Sequence, residues 1–294
     1  MDPLIVVLAG GVSSRMKNSK AVGEGVEERL FLEAQMKPKS MITLGDHDRP
    51  LMDYLLYNIR TAGYEDVTIV VGEHDEHIRA YYGDASNQDR SFGLNISYAL
   101  QKIPAGRSKP LGTADALLQA LNVRRDWKGK KFTVCNSDNI YSQRALGLLR
   151  ESYHGCSLID YEREALQFEE ARIEQFAVIK KNNEGFLEEI IEKPTHDQLQ
   201  SAAASDGRVG ISMNIFRFSY DIILPLLDEV PMHPLRQEKE IPQAVKLLIQ
   251  NDRRGMAAIP LAEYVPDLTT KSDIPHVRDY LKREFPYLTM REHA

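Results

Sequence analysis

Near its start the chain reads Leu4-Ile5-Val6-Val7-Leu8-Ala9-Gly10-Gly11-Val12-Ser13-Ser14-Arg15-Met16. An apolar run of strand length leads straight into paired glycines, two hydroxyls and a cation. Glycines let a backbone approach closely or adopt positive φ. Amides in such a turn point at an anion, and a following helix start adds its dipole. Arg15 presents a fork of donors suited to phosphate oxygens. An ordinary tight turn after a strand has the same residues. The phosphate reading gains weight only if later segments supply the rest of a site.

Outward from this loop, strands and helices alternate. Residues 50–62 place Leu51, Leu55, Ile59 and Ala62 at helical spacing, with Gly63 as the stop. Val67-Thr68-Ile69-Val70-Val71 then predicts a buried strand. A further strand is expected over 94–100, a helix over 113–121, and a strand at Phe132-Thr133-Val134-Cys135 that runs into Asn136-Ser137-Asp138-Asn139. Such alternation implies right-handed βαβ units and a mostly parallel sheet. Ligands of these sheets sit beyond the carboxyl ends of the strands, where both the glycine loop and Asp138 fall. The second half reads as more β-rich. A hairpin is expected around Asn182-Asn183-Glu184-Gly185, and one strand over 208–218. Helices over 220–228 and 238–251, a strand over 256–259 and a helix over 272–284 follow. Residues 202–207 read as a mobile loop. No linker divides two domains, so residues 1–294 are expected to form one.

With 294 residues the chain can bury a sizeable core, and 43% apolar with 27% charged residues is ordinary for a globular protein. A net charge of −6 leaves no electrostatic footprint for nucleic acid. Cys135 and Cys156 are too few for a disulfide framework and suit a reducing compartment. No apolar run has membrane-spanning length, and Met1-Asp2-Pro3 lacks the basic start of a signal peptide. A cytoplasmic protein with no membrane partner is expected.

Several later residues have both a bland and a chemical reading. Asp138 at a strand tip is a turn former or a Mg²⁺ ligand. Asp267, before a helix, is a cap or a second ligand. Lys39 after Pro38, and Lys193 in Glu192-Lys193-Pro194, are solvated surface groups or cations for phosphoryl chemistry. Gly112-Thr113 opens a helix. Thr113 would be its cap, or Gly112 would let a flat nucleobase lie on the backbone.

The order of these segments resembles the sugar-1-phosphate nucleotidylyltransferases. The resemblance rests on Leu8-Ala9-Gly10-Gly11 with Arg15-Met16, Pro38-Lys39 with Met41 and Leu44-Gly45, and Pro50-Leu51-Met52-Asp53-Tyr54. It continues through Gly112-Thr113-Ala114-Asp115-Ala116, Asn136-Ser137-Asp138-Asn139, Glu192-Lys193-Pro194, Ser212-Met213-Asn214-Ile215-Phe216 and Asp267-Leu268-Thr269-Thr270. It covers residues 4 to about 280, and its forms look most like the ADP-glucose pyrophosphorylase branch, with the thymidylyl- and guanylyltransferase branches close. The resemblance implies an α/β fold, a single Rossmann-like nucleotide-binding domain with a mixed, mostly parallel central sheet and a small β-rich sugar-binding subregion. The nucleotide half would span about 1–150 and the sugar half about 151–294. It implies an enzyme that takes an NTP and a sugar 1-phosphate to an NDP-sugar and pyrophosphate with Mg²⁺. Asp138 and Asp267 would hold the metal. Ala9, Gly10, Gly11, Gln101, Gly112 and Thr113 would bind the nucleotide, with Arg15 and Lys39 on its phosphates. Lys193 would place the sugar phosphate, and Asn139, Glu192 and Asn214 would line the sugar site. A homo-oligomer is compatible with all of this.

There are departures. An extra segment, about 17–36, separates Arg15 from Lys39, and residues 26–36 read as an added amphipathic helix, a lid or an interface. It offers Lys20 as a rival phosphate ligand, in a form similar to molybdenum-cofactor guanylyltransferases. Lys39 is favoured because residues 41–54 continue the sugar-nucleotide pattern in step. Ser137 and Asn214 stand where the family usually has glycine, which leaves the sugar open. The β-helix of the ADP-glucose branch is not expected in the residues given after Asp267. Two other classes stand beside the main one: a glycosyltransferase or cofactor nucleotidyltransferase on a related fold, and a catalytically silent regulatory homologue. Asn136-Ser137-Asp138 supplies only one carboxylate of the Asp-x-Asp motif a glycosyltransferase would carry. The joint presence of Arg15, Lys39, Asp138, Lys193 and Asp267 argues against silence.

Overall fold

Strand β1 (Leu4–Leu8) is buried along its whole length, and its alternating side chains feed two cores. In this computed structural model, which describes residues 2–19, 27–83, 88–203 and 207–288, Ile5 and Val7 face one cluster and Leu4, Val6 and Leu8 the other. A strand apolar on both faces belongs inside a parallel sheet covered by helices. β1 accordingly pairs in parallel with β2 (Asp66–Gly72) on one side and β4 (Lys131–Asn136) on the other, and β2 pairs in parallel with β3 (Asn95–Gln101).

The sheet continues through β9 (Ile215–Ser219), β5 (Ser157–Glu162), β8 (Gly210–Ser212), β6 (Ala177–Lys181) and β7 (Leu187–Glu192), with β10 (Ala257–Leu261) also on β5. Parallel pairing holds in the first half and at β5–β10. β9 runs antiparallel to β4, and the remaining pairs are antiparallel. The mixed α/β sheet expected from the sequence is therefore present, with its β-rich subregion continuous with the parallel first half.

One face is covered by α2 (Glu28–Met36), α3 (Leu51–Thr61), α5 (Gln143–Glu151) and α9 (Ile274–Glu284). The other is covered by α4 (Thr113–Val123), α7 (Tyr220–Glu229) and α8 (Ile241–Asn251). Each fully buried Leu, Ile or Val in these clusters contributes roughly 1.5–3 kcal/mol. Two shorter helices, α1 (Ser14–Asn18) and α6 (Glu170–Ile173), matter for the site. Among the described residues no helix is long and apolar enough to cross a membrane. Both cysteines are free and buried.

Three differences from the sequence reading are informative. The strand expected over 208–218 is two strands, broken at Met213-Asn214, where Asn214 adopts φ 56°. The helix expected from 238 begins at Ile241, with Pro242 in its first turn. Residues 238–240 instead are non-helical and lie beside Gly112, with the Lys239 amide donating to the Leu111 carbonyl (2.5 Å) and the Ala114 amide to the Lys239 carbonyl (3.0 Å). Finally, β5 has no clear strand signal in the sequence, because Asp160 is a poor strand former. The added helix at 26–36 is present as α2, with Leu30 and Ala34 buried. The loop at 202–207 lies partly outside the described residues.

Candidate active site

The tips of β1 and β4 lie side by side, and the Ser137 amide donates to the Leu8 carbonyl (3.1 Å). Between them opens a cavity of about 290 Å³. Its wall is formed by residues 8–15, the turn 38–40, Gln101, Lys109, Pro110, Gly112, Thr113, Ala116, residues 136–138, Glu238 and Glu240. Arg15, Lys39 and Asp138, far apart in sequence, thus share one wall with Ala9, Gly10 and Gly11.

The loop differs in detail from a doubly strained glycine turn. Positive φ falls on Ser13 (54°), just before α1, and on neither Gly10 nor Gly11. A Cβ at Gly10 would lie 2.9 Å from Gln101 Oε1, whereas one at Gly11 would meet nothing within 4 Å. The chain packs closely at Gly10, against the tip of the Gln101 side chain, and not at Gly11. Arg15 is exposed at the start of α1.

Lys39 opens a 3₁₀ turn (Lys39–Met41) and is 9% exposed. Its Nζ donates to Asp138 Oδ2 at 2.9 Å. The chain after the turn is fixed by α2, since Glu33 accepts from the Thr43 amide and hydroxyl, each at 2.8 Å. Lys20 lies outside the described residues.

Asp138 and Asp267 meet at one corner. Asn139 and Asp267 face each other in an antiparallel bridge, and the Leu268 amide donates to the Asp138 carbonyl (2.9 Å). Asp267 is buried and set back from the cavity wall. Its Oδ2 accepts from Arg172 Nη2 (2.6 Å) and the Thr269 hydroxyl (2.9 Å), and its Oδ1 from Asn139 Nδ2 (3.3 Å). Burial and the neighbouring Asp138 charge push its carboxyl up, against the pull of Arg172. Each carboxylate feels the other's charge, and carboxylate oxygens of this kind are the donors that a hard divalent cation such as Mg²⁺ takes.

Gln101 Nε2 donates to the Gly112 carbonyl and to Asp115 Oδ2, each at 2.8 Å. Gly112 is itself the N-terminal cap residue of α4, with φ 111°. Thr113 does not cap; its hydroxyl accepts from the Ile241 amide (3.0 Å).

The residues assigned to the sugar lie beyond this wall. Glu192 ends β7 half-buried, and the exposed Lys193 follows with φ 48°. Burial, and then the charge of the wall residue Glu240, pushes the Glu192 carboxyl up. Asn139 is buried, and the Asn214 turn is tied to it through Tyr141, whose hydroxyl donates to the Met213 carbonyl (2.7 Å). Sequence reasoning missed Arg172, Lys109, Glu238 and Glu240. The charged triplet 238–240 was the only available signal, and it reads equally well as a helix start.

Residues 23–282 match the family described as nucleotidyl transferase. The chain belongs to that family. Among relatives of this nucleotidyl transferase, the bifunctional protein GlmU of Methanococcus maripaludis is 26% identical over 250 residues, 85% of this chain and 51% of the relative. Glucose-1-phosphate thymidylyltransferase of Streptomyces griseus is 27% identical, over 92% of this chain and 64% of its own length. Glucose-1-phosphate adenylyltransferase of Corynebacterium aurimucosum is 21% identical, over 99% and 62% respectively. The chain thus spans about half to just under two thirds of these relatives. A UDP-glucose pyrophosphorylase solved with UDP-glucose shares the fold at a TM-score of 0.69, with 97% of this chain and 100% of that one covered at 17% identity.

Proposed function

We propose that this nucleotidyl transferase joins an NTP to a sugar 1-phosphate and releases pyrophosphate. The observation that carries the reading is the single cavity in which the glycine loop, Arg15, Lys39 and Asp138 converge, with the carboxylate of Asp267 behind them. The attacking sugar phosphate oxygen is already anionic, so no protein nucleophile or base is needed. Its oxygen forms a bond to the α-phosphorus as the bond to the β-phosphate oxygen breaks. Catalysis is then positioning and charge compensation.

In this reading Ala9, Gly10, Gly11, Gln101, Gly112 and Thr113 seat the nucleotide. Arg15 holds the leaving pyrophosphate and Lys39 the α- and β-phosphates. Lys193 places the sugar phosphate, while Glu192, Asn139 and Asn214 define the sugar pocket. Asp138 and Asp267 would hold Mg²⁺, which when bound supplies charge neutralisation between the two reacting phosphates. Lys39 is preferred to Lys20 because it lines the cavity and pairs with Asp138.

The test is pyrophosphate release from each NTP across a panel of sugar 1-phosphates, with Mg²⁺ and with EDTA. Release with one pair, abolished by EDTA, is expected. No release with any pair would overturn the reading, and release only with non-sugar phosphates would replace it with cofactor nucleotidyl transfer.

Glu192 gives a pH prediction. Its folded carboxyl is raised, so the acceptor form is lost as pH falls through that raised value, above the usual glutamate range of about 4.3. The KM for sugar 1-phosphate should rise on this acid limb, and Glu192→Gln should flatten it. The stability sign is opposite. A raised folded pKa contributes stability below the unfolded value and loses it as pH rises through the folded one. An unchanged acid limb in Glu192→Gln would remove Glu192 from sugar binding.

A further inference from the structure

Lys271 stands four residues after Asp267 and is 2% exposed, in a loop whose chemistry otherwise belongs to the carboxylate. Its ammonium does not face the cavity. It donates to the Ser19 carbonyl (2.7 Å) and the Lys17 carbonyl (3.1 Å), at the C-terminal end of α1. Helix ends leave such carbonyls without intrahelical partners. The interlock runs both ways, because the Lys271 amide donates to the Ser19 hydroxyl (3.2 Å), which donates in turn to the Met16 carbonyl (2.9 Å). The ring of Phe31, on the inserted helix α2, closes the third side, with its centroid 4.7 Å from Nζ.

We infer that Lys271 is a positioning residue that locks the phosphate loop to the Asp267 loop. The inference rests on the nucleotidyl transfer reading and adds to it a residue that touches neither substrate. α1 carries Arg15 at one end and is sewn to residue 271 at the other. The helix is only one turn and a half long, so it has little stiffness of its own to hold Arg15 against a polyanion. A buried ammonium shared by two carbonyls and an aromatic face supplies that stiffness. The inserted segment gains a physical role as well. Through Phe31 it braces the Arg15 side of the cavity, and through Glu33 and Thr43 it braces the Lys39 side.

The test compares the parent with Lys271→Met, which keeps the apolar stem against Phe31 and removes the ammonium. Binding of Mg²⁺-pyrophosphate and of each Mg²⁺-NTP is measured by calorimetry, and KM values are measured in both directions with the active pair. Affinity for pyrophosphate and NTP should weaken about 10- to 100-fold, as for other residues that orient a ligating group. The KM for the sugar phosphate should stay near the parent value. A purely structural lysine would lower the melting temperature and leave these constants alone. If Lys271→Met does not fold, Ser19→Ala removes half of the interlock, and a several-fold loss of pyrophosphate affinity is expected. Folded Lys271→Met, or in its place Ser19→Ala, binding pyrophosphate as the parent does would overturn the inference alone. A parent that binds neither pyrophosphate nor any NTP would overturn the reading and the inference together.

Discussion

Asp138→Asn should lower kcat by about three orders of magnitude while leaving the fold intact. The substitution keeps size and shape at a position 25% exposed in its side chain, so packing is not disturbed. What disappears is the charge. Lys39, 9% exposed, is left beside a neutral amide without its 2.9 Å partner, and the oxygen that would face Mg²⁺ loses its negative charge. In the proposed reaction both effects would act where charge develops as the α-phosphorus is attacked, in a cleft where electrostatic terms are worth more than in open water. The KM for NTP should change much less than kcat, because in the proposed reaction the glycine loop and Arg15 would bind the distal phosphates independently. The measurement is steady-state pyrophosphate release with the melting temperature as a control. A variant within tenfold of the parent would show that Asp138 is a turn residue after all.

Gly112→Ala should be the most damaging small substitution in the cavity wall. Gly112 sits at φ 111° and ψ −172°, a region essentially restricted to glycine. A Cβ there would lie 2.5 Å from the Lys239 carbonyl oxygen and 3.0 Å from its amide nitrogen. Backbone cannot step aside as a side-chain tip can, and two hydrogen bonds hold residue 239 against α4 on either side of this glycine. Strain and displacement together should cost about 2–4 kcal/mol of stability. They should also move Glu238 and Glu240 in the wall, raising the KM for NTP. Gly11→Ala provides the contrast, because its Cβ meets nothing within 4 Å and its φ is not positive. Urea denaturation of the two variants decides the matter, and similar midpoints would contradict the argument.

Legibility from sequence followed the range of the interactions. β1, β2 and β4 could be read because their apolar runs sit in the middle of the sheet and are buried on both faces. β5 escaped because Asp160 interrupts its pattern, and only the fold reveals that Lys181, from β6, reaches across to pair with it. The 238–240 segment reads as helix for a similar reason. Its charges fit a helix start, and only the fold shows Lys239 bonded to the backbone on either side of Gly112 instead. Arg15, Lys39 and Asp138 were legible as motif members, and the fold brings them to one wall. The convergence of Asp138 with Asp267 was not legible, since it depends on a bridge between residues 139 and 267. Arg172 and Lys271 had no local signal. Each is a long cation whose partners lie about a hundred or more residues away.

The antiparallel joint between β4 and β9 has a consequence for how such a chain can diversify. Because β9 runs against β4, the start of β9 lies at the same rim as the end of β4, and Cys135 pairs with Ile215 there. The turn at Met213-Asn214 therefore stands next to the acidic tip without being continuous with it in the chain. Insertions or exchanges in that turn would alter one side of the rim, while β1 and β4 keep the register that sets the other. Under the proposed transfer, chemistry and selectivity are written in separate stretches of the gene and meet only after folding, which would let a lineage change its choice of sugar without relearning how to move a phosphate.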